Sequence, residues 1–336
     1  MSRAVVYEKF GGPEVLELRE VPEPHAGPGE VRVRVTAAGL NPMDWSLASN
    51  PEAAARFGIT LPSGFGYDFA GVVDEAGPGA KHAVGDRVFG GVLGRAVADF
   101  VVARADDALF PTPDGLGDEV ASTLPVAGSS AAAALAAVGL RAGDTLLVGG
   151  AAGGVGIFAV QLARLAGATV IGTAAEGTFP FLRKLGAEPV AYGPGLAGRL
   201  NELTAAVDLF GTEAAEAALR LGVPPERIAT IAAGPHPPGG MRATGGADAE
   251  PGTVPRIAAA VVAGELTVPV AAVFPVERIR DAVTLQAARH VHGKVVVTLW
   301  RPTPRTQENH SGRRAASSRC PSEALSVPAP PSPPGG

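Results

Sequence analysis

Leu146 to Leu165 reads LLVGGAAGGVGIFAVQLARL. An apolar run enters a glycine cluster, Gly149 to Gly156, and the chain then continues with helical spacing through Ile157, Val160, Gln161 and Arg164. The pattern predicts a strand, a tight turn and a helix. A helix N-terminus presents unpaired N–H groups and a positive dipole end, and small residues let a pyrophosphate approach them. Ala151, Gly153 and Gly156 fall at the spacing of a dinucleotide fingerprint, with alanine in the first glycine's place. A second apolar run, Ala168 to Thr173, follows where the next strand of a βαβ unit belongs. The bland alternative is a glycine-rich loop in another kind of α/β protein.

The 336 residues suit two domains, and 46% hydrophobic residues suffice for sizeable cores. A net charge of −5, with no long basic run before the tail, argues against a nucleic-acid partner. Cys320 is the only cysteine, which excludes intrachain disulfides and a cysteine-built zinc site and fits a reducing cytosol. The opening MSRAVVYEKF alternates like a strand and lacks a signal-peptide pattern. The alanine-rich segment Ala121 to Leu140 is broken by Pro125, Gly128 and Gly139, so it offers no membrane span. The expectation is a cytoplasmic protein with no membrane partner.

Up to about Asp118 the chain consists of short strand-like runs: Ala4 to Tyr7, Val15 to Arg19, Glu30 to Ala37, Gly71 to Ala76, Arg87 to Phe89 and Ala98 to Ala103. From about Glu119 the period becomes helical. Short apolar runs then alternate with helical segments: a strand at Pro189 to Tyr192, a helix around Leu196 to Ala206 and a strand at Val207 to Phe210. A helix at Thr212 to Leu221 and a strand at Arg227 to Ala232 follow. Such alternation implies a parallel sheet covered on both faces. Helix Val254 to Gly264, strand Thr267 to Phe274 and a final strand Gly293 to Trp300 complete the body. Residues 301–336, rich in Pro, Ser, Arg and Gly, read as a disordered tail. A dispensable extension is favoured there over a proline-rich recognition segment.

Several stretches together resemble the medium-chain dehydrogenase/reductase superfamily, in its zinc-free quinone oxidoreductase (zeta-crystallin-like) branch. They are Ala38 to Asp44, Gly66 to Val73, Val84 to Val88, Leu124 to Gly128, Gly149 to Arg164, Leu185 to Ala187 and His292 to Val296, in family order. The resemblance implies an α/β fold with a GroES-like β-barrel substrate domain and a Rossmann cofactor domain with a doubly wound parallel sheet. The expected division is 1–120 for the substrate domain, 121–266 for the cofactor domain and 267–300 for a return to the first. It also implies a homodimer formed through edge strands of the cofactor domains, for which Thr267 to Phe274 is the candidate.

Zinc-dependent relatives carry a cysteine where this chain has Asn41, and their Gly-His-Glu motif stands here as Gly66-Tyr67-Asp68. Asn, Tyr and Asp make a poor zinc trio, so no metal is expected. Without a Lewis acid, an acceptor that is already electrophilic suits the site better than a simple ketone. The expected chemistry is hydride transfer from NADPH to a quinone or an α,β-unsaturated carbonyl. The alternatives are an enoyl reductase of a polyketide or acyl pathway and a non-catalytic dinucleotide-binding module.

Candidate catalytic residues are Tyr67 and Asn41. Tyr67 reads as a proton-donating hydroxyl or as an aromatic pocket wall. Asn41 reads equally as a donor to an acceptor oxygen or as an Asx-type turn before Pro42. Trp45 and Asp44 fall in the substrate loop, with Asp44 a positioner of backbone groups. The cofactor set is Ala151, Ala152, Gly153, Gly154, Val155 and Gly156 in the turn, with Thr173 and Ala174 at the end of the second strand. Ser130 would offer a hydroxyl to the nicotinamide or cap its helix. Tyr192 would pack near the adenosine phosphate, and Ala232 and Ala233 would meet the carboxamide. Thr173 to Ala175 leave room for a 2′-phosphate, whereas Glu176 stands where NADP-binding relatives often place lysine. NADPH is favoured, with NADH possible. Arg183, Lys184, His290 and His292 read as solvated surface residues, and the loops Gly90 to Arg95 and Gly239 to Gly246 as the edges of the substrate pocket.

Overall fold

The computed structural model describes residues 1–104 and 108–299. The tail at 301–336 and Trp300 lie outside the described residues. The described residues form one compact unit.

Thr145–Gly149 is the central strand of a six-stranded parallel sheet. In spatial order the strands are Glu188–Ala191, Thr169–Ala174, Thr145–Gly149, Ala205–Asp208, Ile228–Thr230 and Arg242–Ala243. Numbered along the chain, this is the 3-2-1-4-5-6 order of a doubly wound Rossmann sheet, with the strand order reversing at Thr145–Gly149. Both faces are covered. Leu146 and Val148 enter one core with Ile157, Val160 and Leu135, while Leu147 enters another with Ala206, Ala214 and Ala218. Helix Gly156–Leu165 leaves the glycine turn as its spacing predicts. Its Gln161 is buried and spans the packing, donating to Ile157 O and Thr267 O and accepting from Thr267 N.

The second sheet has seven strands. Along its main path run Val270–Pro275, Lys294–Thr298, Glu30–Leu40, Asp68–Ala76, Arg87–Gly91 and Ala108–Pro111, with Phe100–Arg104 also pairing Glu30–Leu40. A small sheet of Glu17–Val21, Ser2–Tyr7 and Ser63–Gly64 lies beside it. Val33, Val35, Phe69, Val88 and Val297 fill this core, which is the GroES-like half of the α/β fold.

Two expectations are corrected. The segment 196–206 is not one helix: Leu196–Arg199 makes a single 3-10 turn, and Ala205 and Ala206 already belong to the next strand. Gly193, Gly195 and Gly198 weaken helix formation there, and sheet pairing claims the alanines. Thr267 to Phe274 is not an edge of the Rossmann sheet. Its strand, Val270–Pro275, pairs with Lys294–Thr298 at the end of the other sheet, and Arg242–Ala243 forms the Rossmann edge. Helix Ile279–Ala287, which the sequence reading left unassigned, packs on the two strands Val270–Pro275 and Lys294–Thr298.

Candidate active site

Strand register gathers the polar residues. Leu40 pairs with Val295 and Gly39 with Asp68, so Asn41, Lys294 and Asp68 emerge side by side at one end of three adjacent strands. Lys294 Nζ donates to Asn41 Oδ1 at 2.7 Å, and Asn41 Nδ2 donates to Asp68 Oδ2 at 2.8 Å. Val126 N, in the first turn of helix Pro125–Ala137, donates to Asp68 Oδ1 at 3.2 Å. Asp44 Oδ2 accepts from Asn41 N at 2.7 Å at the start of helix Pro42–Ser49. All four residues are buried.

Burial governs their ionisation. Desolvation pushes the Asp68 carboxyl up to about 7 against the opposing pull of Lys294, Asn41 and the Val126 N–H. Desolvation likewise pushes Asp44 to about 7, opposed by the Asn41 N–H and Lys294 and reinforced by Asp68. Burial lowers Lys294, against the opposing pull of Asp68 and Asp44. Two carboxyls thus share one buried cation.

The cluster adjoins the glycine turn. A Cβ on Gly154 would lie 3.3 Å from Lys294 Cδ and 3.9 Å from its Nζ. Gly293 N donates to Ala152 O at 3.0 Å, tying the return strand to the turn. A Cβ on Gly156 would fall 2.2 Å from Gly150 O, so only glycine lets the helix start this close to the strand. Thr173 Oγ1 accepts from Gly150 N at 3.1 Å. Its hydroxyl braces the turn. Ala151, Ala152 and Ala174 are buried around it, and Gly153 and Val155 are half-buried.

The remaining candidates divide. Lys294 and Asp68 engage the two arms of the Asn41 carboxamide, and Asn41 also stands at the N-cap of helix Pro42–Ser49. Asp44 is spent on the backbone of Asn41 and is buried away from the surface. The Tyr67 ring lies on Gly91, where a Cβ would meet Tyr67 Cε1, and so walls the Gly90 to Arg95 loop. Ser130 lies inside helix Pro125–Ala137, beyond its first turn, which removes the capping alternative; Gly246 packs against it. The N–H groups of Ala232 and Ala233 fold back onto Thr230 Oγ1 at 3.1 and 3.3 Å. Tyr192, 56% exposed, follows strand Glu188–Ala191, and Phe210, also 56% exposed, follows Ala205–Asp208. Aromatic side chains thus stand at the carboxyl ends of two parallel strands, where open α/β sheets bind ligands. His292 is exposed but not isolated: its Nε2 is 3.0 Å from Thr178 Oγ1, and its ring is 5.7 Å from Phe181.

Four groups of the site lie outside the candidate residues that the sequence marks: Asp68, Lys294, Phe210 and Arg289. Lys294 enters the sequence argument only as part of its motif, although a lysine opening the apolar run Val295 to Leu299 signals a cation needing buried partners. Phe210 ends the strand that the sequence predicts at Val207 to Phe210. Arg289, at φ 58°, has its guanidinium carbon 5.4 Å from the Trp45 ring centroid and 5.1 Å from that of Phe210. Nothing in local sequence announces that placement.

Residues 27–176 match the alcohol dehydrogenase GroES-like domain family. The chain is 40% identical over 177 residues to a quinone oxidoreductase of Pseudomonas aeruginosa, which covers 52% of this chain and 53% of that protein. The quinone oxidoreductase structure from Coxiella burnetii superposes with a TM-score of 0.81 at 29% identity, over 89% of this chain and 99% of the other. The chain belongs to the medium-chain dehydrogenase/reductase superfamily, in its quinone oxidoreductase branch. A mycobacterial member complexed with NADPH superposes with a TM-score of 0.78 at 26% identity, over 89% of this chain and all of that one. The polyketide synthase component PikAII of Streptomyces venezuelae is 35% identical over 314 residues, 83% of this chain and 8% of that protein. The match thus spans about half the length of the Pseudomonas relative and a small part of the synthase.

Proposed function

We propose that this protein is a metal-independent, NADPH-dependent reductase of quinones or α,β-unsaturated carbonyls, organised as residues 1–120 and 267–300 around a cofactor domain at 121–266. The observation that carries the reading is the Lys294–Asn41–Asp68 chain set against the glycine turn. A buried ammonium already occupies the place to which two carboxylates would draw a cation, so these residues do not fit a catalytic zinc. The turn does fit a dinucleotide. Its small residues leave the start of helix Gly156–Leu165 open, and Lys294 adds positive charge beside Gly154.

When bound, the reduced nicotinamide supplies hydride. The residues of this chain orient and enclose. Gly150 to Gly156 and Lys294 would hold the phosphates, Tyr192 would pack on the adenosine side, and Ser130, Ala232 and Ala233 would border the nicotinamide. Tyr67 and Trp45 would form the acceptor's walls, and Asn41 is a positioning residue that aims Lys294. NADPH is preferred on the support of the mycobacterial relative's complex, with NADH as the competitor.

The test is NADPH oxidation with a benzoquinone, with and without a chelator. The reading expects turnover that the chelator leaves unchanged; loss on chelation, restored by zinc, would overturn it. Parallel fluorescence titrations with NADPH and NADH rank the cofactors. The similarity to a polyketide synthase component over 83% of the chain favours a second reading, an enoyl reductase. Turnover of enoyl thioesters in preference to quinones would select it, and tight NADPH binding without any turnover would favour a non-catalytic module.

A further inference from the structure

Arg289 is the only non-glycine residue with positive φ among the described residues, at 58°. A side chain in the left-handed region costs about 1 kcal/mol or more, a strain that surrounding contacts must offset. The contacts here are two aromatic faces from opposite sides of the fold. Trp45 belongs to helix Pro42–Ser49, which Asn41 and the Lys294 cluster anchor. Phe210 follows strand Ala205–Asp208 and packs its Cβ toward Gly150 of the glycine turn. Arg289 therefore joins a ring carried by the substrate half to a ring carried by the cofactor half.

The geometry of a guanidinium decides what remains available. Its flat faces take aromatic rings, and its five N–H donors lie in the plane, pointing outward. With the guanidinium over both rings, those edges meet no carboxylate among the described residues. Arg289 is exposed, which leaves its donors open to solvent. A flat cation steadied by rings, with its donors unspent, is preorganised for one planar or tetrahedral anion.

We propose that Arg289 is a specificity-determining residue that selects acceptors carrying an anionic group, a carboxylate, sulfonate or phosphate, remote from the reducible carbonyl. This inference rests on the reductase reading above and names its substrate class. The anion could belong to a free acidic quinone or to the phosphate of a carrier-borne acyl chain; both present the same oxygens to Arg289.

The test uses the full chain saturated with NADP⁺. Binding of 1-naphthalenesulfonate and of neutral 1-naphthalenemethanol is measured by calorimetry for the native protein, Arg289→Met and Arg289→Lys. The expected result is sulfonate binding weakened about ten- to a hundredfold in Arg289→Met, the range for a lost charge-assisted hydrogen bond, with the neutral probe unchanged. Arg289→Lys should recover only part, because it keeps the charge and loses the fork. Equal affinities for both probes in the native protein, or equal losses of both in Arg289→Met, would overturn the proposal. A fall in NADP⁺ affinity in Arg289→Met that accounts for the loss would also overturn it, by assigning the residue to the dinucleotide's phosphates. A kinetic arm compares 1,4-naphthoquinone with 1,2-naphthoquinone-4-sulfonate, and phosphopantetheine with pantetheine crotonyl thioesters. A selective drop in kcat/KM for the sulfonated or phosphorylated member tells the two anion sources apart. If no acceptor turns over, the reductase reading fails while the binding arm still judges Arg289.

Discussion

At the scale of residues, the buried Lys294–Asn41–Asp68–Asp44 cluster makes the strongest demands. Lys294→Met leaves two carboxyls buried without their cation, a change that costs about 3–5 kcal/mol. The loss should be larger at pH 8 than at pH 6, because the carboxyls take up protons as the pH falls; urea unfolding at both values checks it. The pH dependence can also be isolated. Asp44 and Asp68 have folded pKa values raised to about 7, above the ordinary carboxylate range. Such groups favour the folded state most at low pH, and their contribution is lost as pH rises through 7. Asp44→Asn keeps an acceptor for the Asn41 N–H but removes one titrating group. Its Tm should therefore vary less than that of the native protein between pH 5 and pH 8, and an identical slope would remove Asp44 from the account. The sequence exposed part of this cluster. Asn41, Asp44 and Asp68 sit in recognisable loops, but their partnership depends on strands brought together from residues 40, 68 and 294. Arg289 was less legible still, because neither its backbone strain nor its two ring partners leave a local pattern.

At the scale of elements, the strand, turn and helix from Thr145 to Leu165 followed directly from apolar spacing, since each of its constraints is local. Its demand for glycine is testable. Gly156→Ala places a Cβ 2.2 Å from a backbone oxygen, which cannot swing aside. It should cost about 1–3 kcal/mol of stability and a larger share of NADPH affinity, both read by thermal melts with and without the dinucleotide. The failed helix at 196–206 shows where local reading stops. Alanines that favour a helix in isolation serve as a strand once Thr145–Gly149 offers them an edge. Strand Thr267 to Phe274 failed differently: its period was right, but a period does not say which sheet a strand joins.

At the scale of the whole molecule, the resemblance implied two sheets and a return strand, and the described residues have both sheets and Lys294–Thr298 in the seven-stranded one. Edge pairing between copies is expected to make a homodimer, and sedimentation that finds a monomer at micromolar concentration would remove that expectation. The two sheets also differ in how far apart in sequence their strands lie. All strands of the Rossmann sheet come from residues 145–243, whereas the Ala37–Leu40 end of Glu30–Leu40, paired early with Asp68–Ala76, must wait for Lys294–Thr298 on its other side. On a ribosome that emits the chain from its N-terminus, the parallel sheet can form while the first hundred residues still lack their closing strand. The glycine turn is caught in the same schedule, because Ala152 O receives Gly293 N–H only at the end. Nascent chains arrested with residue 292 as the last one outside the exit tunnel should therefore resist protease across 145–243 and be cut within 1–120. Release of six further residues should protect both halves together.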